Sequence, residues 1–147
     1  MPSDYWRHVV ASEGLSLKTL KKLRTDFGIS ITRAANRIVE ISQIECVIII
    51  WSPVYENEKV TRLDPIRCFS SPAARQPNFN QLERDDTAHS PGSPFFTIET
   101  QTETTGRVWL PINGAKAKYL IQSDSVGNHV MSLLIPDKYR ADIMRLD

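Results

Sequence analysis

The tetrapeptide Phe27-Gly28-Ile29-Ser30 constrains this chain more than any other stretch. Ahead of it, Leu17, Leu20, Leu23 and Phe27 recur three or four residues apart, which draws one apolar stripe along a helix. Behind it, Ala34, Ala35, Ile38 and Ile41 continue with the same period. Gly28 can take the left-handed conformation that closes a helix. Ser16 and Ser30 can each cap a helix by accepting from an amide of its first turn. Ile29 stands where it can staple onto Ala34. Two short amphipathic helices joined by a tight turn are therefore expected, and the small alanines let them approach closely. Both stripes then need a further apolar surface to cover them.

The sequence offers that surface at once. Cys46-Val47-Ile48-Ile49-Ile50-Trp51 is β-branched and continuous, the pattern of a central strand buried on both faces and ended by Ser52-Pro53. A turn at Glu56-Asn57-Glu58 leads into the alternating Lys59–Leu63, and Pro65 limits how far that strand can pair centrally. Further strands are expected at Phe95–Thr102, Val108–Leu110, Ala117–Ser123 and Val130–Ile135, with a turn over Asp124–Asn128 and a last helical turn from Pro136 to Met144. At the front, Ser3–Ser12 reads as a helix capped by Ser3 or Asp4, with Tyr5, Val9 and Val10 on one face. Met1-Pro2 followed at once by a capping sequence is expected of a chain that continues a larger architecture. The layout is α+β: three short helices over residues 1–44, a helix-turn-helix region, then a small, mostly antiparallel sheet domain over 45–147. A long flexible loop interrupts the sheet at about 70–94, with a short helix at Asn78–Arg84.

Composition removes several classes of function. With 147 residues, 41% hydrophobic and 24% charged, the chain can bury a real core. A net charge of +1 gives no global field for nucleic acid or an acidic membrane. Its longest apolar run is strand-length, far short of the roughly 18 residues of a membrane helix. No secretory leader pattern begins the sequence, so a cytoplasmic location is expected. Cys46 and Cys68 make no metal motif and read as buried, reduced thiols. His8, His89 and His129 lie far apart and outside any zinc-binding pattern. Asp85-Asp86 reads as a solvated loop tip. There is no nucleophile elbow and no phosphate-cradling glycine loop. Nothing here calls for a cofactor or assigns a catalytic residue.

What remains is the helix pair. Lys18, Lys21, Lys22, Arg24, Arg33 and Arg37 outnumber Asp26 and Glu40, which leaves two readings: a pair that only packs on its own domain, or a nucleic-acid or partner surface carried by Lys21, Lys22, Arg33 and Arg37. A DNA surface is the weaker reading beside a pair that packs on its own domain. Ile31 occupies the first turn of the would-be recognition helix, where polar side chains are expected. Arg37 falls where such a motif has a core aliphatic, and Ile38 comes one position late.

The run Leu17–Ile50, with Leu-x-x-Leu spacing into Phe27-Gly28-Ile29-Ser30, then Ala34-Ala35-x-Arg37-Ile38-Val39-Glu40 and the Cys46-Val47 strand, resembles the region after the catalytic domain of ImmA/IrrE-family metallo-endopeptidases. Met1-Pro2 is similar to the Leu-Met-Pro element that ends the catalytic helix of that family. Val108-Trp109-Leu110 and Leu133-Leu134-Ile135-Pro136 resemble its small sheet domain, GAF-like in some members. Members are zinc peptidases that cleave a DNA-binding repressor. Their H-E-x-x-H helix and later glutamate have no counterpart in this sequence, so no catalytic or metal residue carries over. The resemblance implies a non-catalytic regulatory or interaction module, a truncated member of the family, acting with a peptidase half or a repressor protein. The alternative it leaves is a DNA-binding transcriptional regulator.

Overall fold

Ser16 starts the observed architecture much as its hydroxyl chemistry suggests. Its Oγ accepts from the Thr19 amide at 3.1 Å and opens α2, Leu17–Phe27. The next free amide, that of Leu17, donates to Gln122 Oε1 at 3.2 Å, a partner supplied by the sheet. Gly28, at φ 60°, closes α2: its amide donates to the Thr25 carbonyl, and the Ile29 amide to that of Arg24. Ser30 then caps α3, Ile31–Ile41, by accepting from the Arg33 amide. The helix α1, Ser3–Glu13, lies against both. The computed structural model describes residues 3–42, 44–72, 74, 91–112 and 115–139.

Five strands follow: β1 Val47–Glu56, β2 Lys59–Ser70, β3 Thr104–Ile112, β4 Ala115–Val126 and β5 His129–Pro136. They form one antiparallel sheet in the order β2-β1-β5-β4-β3. A 3₁₀ turn, Asp137–Tyr139, follows β5. Helices plus an antiparallel sheet give the expected α+β class.

Successive residues of β1 point to opposite faces, and each face has its own core. Cys46, Ile48 and Ile50 join Leu120, Met131, Leu133 and Ile135 beneath the stripes of α1–α3. Val47, Ile49 and Trp51 join Leu63, Tyr119 and Leu134 on the other side. The expectation of a strand buried on both faces holds over Val47–Trp51.

Several elements differ from expectation. Phe95–Thr102 is not a strand: Pro94–Thr100 is helix α4, which packs on the second face. Ser93 caps it and Pro94 fills its first turn, where a missing amide costs nothing. The strand β1 runs through Pro53 to Glu56. Its pairing with β5 stops at Trp51–Val130, so beyond that point only β2 needs its ladder bonds. Pro65 and Pro111 sit inside longer strands than expected because β2 and β3 are the sheet edges. Ile66 and Thr61 are skipped in the β1–β2 register, the bulges that let β2 bend. Asn57 and Glu58 both take positive φ, 52° and 67°, as a tight two-residue hairpin requires. On α1 the anchor is Trp6, fully buried and stacked on Phe27 at 5.7 Å, whereas Tyr5 is exposed and reaches Asp26. Of the cysteines only Cys46 is buried; Cys68 lies exposed on the edge strand. Most of the expected 70–94 loop, with its helix at 78–84, falls outside the described residues, as does the last helical turn beyond residue 139.

Candidate interaction surface

The polar sides of α2 and α3 face away from the sheet, and the four basic residues singled out by sequence lie there in different states. Lys21 is half-buried, and its ammonium pairs with the Asp124 carboxylate on β4. Arg37 is also half-buried. Its Nη1 donates to Glu40 Oε2 at 3.2 Å, while Asn36 Nδ2 donates to Glu40 Oε1 at 3.3 Å. Lys22 and Arg33 are exposed, together with Lys18 and Arg24. Ile31 is half-buried against the helical core, so the first turn of α3 turns its aliphatic side chain inward. Lys21 and Arg37 are thus tied to carboxylates of this chain. Asp124 was beyond reach of sequence reasoning, since it lies 103 residues from Lys21. A complementary charge on a strand facing a helix becomes visible only once topology is known.

The opposite face of the sheet carries a second, polar assembly that sequence reasoning missed. The Ser123 and Ser132 hydroxyls meet at 2.6 Å across β4 and β5. Trp51 Nε1 donates to Ser132 Oγ at 3.0 Å, and Ser123 Oγ donates to the Gly92 carbonyl at 2.6 Å. Thr97 and Thr104 share a bond of 2.9 Å, and Thr97 Oγ1 also donates to the Ser123 carbonyl at 3.1 Å. The Gly92 amide donates to Thr104 Oγ1 at 3.1 Å. This seam fixes α4 on the sheet through satisfied buried hydroxyls. Among the described residues, the hydrogen-bond partners of the two serine hydroxyls are each other, Trp51 and the Gly92 carbonyl, none of them a base.

Beside the seam lies a cleft of about 460 Å³. The overhanging end of β1 gives it Pro53 and Tyr55, the end of α4 gives Ile98 and Gln101, and the β4–β5 hairpin gives Asn128 and His129.

Burial pushes the Cys46 thiol up, against weaker opposing hydrogen bonds from Ser42 and Ser71. Burial also pushes the Cys68 thiol up, with Ser70 opposing. Both therefore hold their protons at neutral pH and are poor nucleophiles. His8 and His129 are exposed on separate elements; His89, Asp85 and Asp86 lie outside the described residues. Among the described residues no three His, Cys, Asp or Glu side chains converge as metal ligands, and no helix is long and apolar enough to cross a membrane.

No family model matches the chain, and no curated protein matches it.

Proposed function

We propose that this chain is a non-catalytic regulatory module, in which a helix-turn-helix-like pair is mounted on a small GAF-like sheet and its outer basic face engages a protein partner. The observation that carries this reading is the way α2 is fastened to β4, by the Leu17 amide on Gln122 and by Lys21 on Asp124. Those contacts use one of the cations a DNA reader would need and fix the pair in one orientation. Exposed Lys18, Lys22, Arg24 and Arg33 remain on the outside, a surface suited to an acidic protein. By the ImmA/IrrE resemblance, that partner is a zinc-peptidase half or a DNA-binding repressor. Under this reading the module acts in the cytoplasm, where Cys46 and Cys68 stay reduced.

The test is titration calorimetry of the full chain with a separately purified peptidase domain and with a repressor of that type. Binding to either is expected, and Arg33→Glu should weaken it by about tenfold through charge reversal. Stoichiometric zinc together with repressor cleavage by the chain alone would overturn the non-catalytic reading. Binding to duplex DNA that falls steeply with salt, and that Arg33→Ala and Lys22→Ala weaken, would favour a DNA-binding regulator instead.

A further inference from the structure

We propose that the cleft at the overhanging end of β1 is a binding site for a small, uncharged, planar molecule bearing N–H donors, such as a neutral nitrogen heteroaromatic. This stands apart from the partner reading above, and either can fail without the other.

Shape comes first. Three elements border the cleft, which is open to solvent on one side, and its volume of about 460 Å³ lies in the range of small-molecule sites, about 300–1,000 Å³. The overhang that creates it is built into the register. β5 stops pairing with β1 at Trp51, so Pro53 and Tyr55 project beyond it on the α4 side of the sheet.

The lining then selects for chemistry. Tyr55 is 61% exposed although it is one of the largest apolar groups in the chain. A solitary exposed tyrosine needs no explanation. This one borders a concavity that Pro53 and Ile98 also line, so a flat ring finds apolar surface there. Among the described residues lining the cleft there is no Lys, Arg, Asp or Glu. Among the described residues the one basic side chain on its wall is the exposed imidazole of His129, so no fixed cation there offsets the desolvation of a carboxylate or a phosphate. The electrostatics of α4 point the same way. Its C-terminal end contributes Ile98 and Gln101, and the carbonyls of a helix C-terminus carry partial negative charge. Such an end favours N–H groups and disfavours anions. Gln101 and Asn128 add amide groups that can both donate and accept, which suits a ring with alternating donors and acceptors.

The test uses the full chain labelled with ¹⁵N and titrated with nicotinamide, with adenine, and with nicotinate as the charged counterpart of the first. Saturable amide shifts are expected at Gln101, Gly127, Asn128 and His129 for nicotinamide or adenine, with half-saturation near 1 mM, about the affinity a ten-atom ring can reach. Nicotinate should bind at least about tenfold more weakly. Tyr55→Ala should weaken the neutral probes about tenfold while Tyr55→Phe keeps them, since the ring face and not the hydroxyl makes the contact. His129→Ala, at the exposed first residue of β5, provides a second variant and should also weaken binding. The proposal is overturned if neither neutral probe saturates by about 10 mM. It is equally overturned if nicotinate binds as well as nicotinamide, if the shifts centre on α2 and α3, or if Tyr55→Ala binds like the parent.

Discussion

Toward α1–α3 the sheet presents Ile48, Ile50, Met131, Leu133 and Ile135, an apolar surface that meets equally apolar helical stripes. Toward α4 it presents Val47, Ile49, Trp51 and Tyr119, but also Ser123 and Ser132. The two faces share one backbone and differ in what makes their packing specific. On the helical side contact is made through side-chain volume, which tolerates repacking. On the α4 side it is made through hydroxyls that each need a partner, and through a backbone approach that leaves room for hydrogen only. A Cβ on Gly106 would stand 1.8 Å from the Pro91 carbonyl oxygen, and one on Gly92, at φ 91°, would stand 2.6 Å from the Gly106 amide nitrogen and the Ile121 carbonyl oxygen. One face is held mainly by an amount of buried surface, with the Leu17–Gln122 and Lys21–Asp124 ties at its margin, the other by a geometry.

That contrast can be broken at its rigid end first. Gly106→Ala should cost at least about 4 kcal/mol, because the obstacle is backbone that must move and take the Gly92 crossing with it. Urea unfolding measures this; a loss under about 1 kcal/mol would show that the Pro91–Gly92 crossing does not lie on β3. On the helical side, Leu23→Ala should cost about 3 kcal/mol through a cavity that neighbours partly fill. Hydrogen exchange sharpens the comparison. If α1–α3 and the sheet are one cooperative unit, amides of α2 and β1 will lose protection together in this variant. Selective loss in α2 would show two units that unfold separately. Ser132→Ala should cost about 2 kcal/mol, more than its few atoms suggest, by stranding Trp51 Nε1 and one bond of Ser123. A matching Ser132→Val effect near zero would mean the seam is dispensable. Lys21→Ala should have the smallest effect, below about 1 kcal/mol and fading with salt, because the pair is partly solvated.

The same division decides what could be read in the sequence. Ser16 and Ser30 act on amides, and Gly28 on carbonyls, within three or four residues, so their roles were visible locally. Val47–Trp51 was visible because burial on both faces leaves a continuous apolar run. The segment Pro94–Thr100 misled because Phe95, Phe96, Thr97 and Ile98 all favour strands, while the deciding signal was the Ser93-Pro94 pair before them. Pro53 and Pro65 looked like strand ends only because their place relative to the sheet edges is a property of topology. At the candidate surface, exposure of Lys22 and Arg33 followed from helical period. The ties of Lys21 to Asp124 and of Leu17 to Gln122 join the helices to a strand late in the chain, and no local rule foresees them. The cleft depends on the β1 overhang, which is equally non-local.

The strand order also sets a schedule for synthesis. The centre of the sheet pairs β1 with β5, so the most apolar strand waits for a partner made about eighty residues later. At roughly 5–20 residues per second, β1 leaves the ribosome about 4–16 seconds before β5 can cover its second edge. For that interval only β2 shields it, and α2 and α3, already synthesised, are the available cover for one of its faces. The early helices are thus placed to act as an internal chaperone for the strand that follows them.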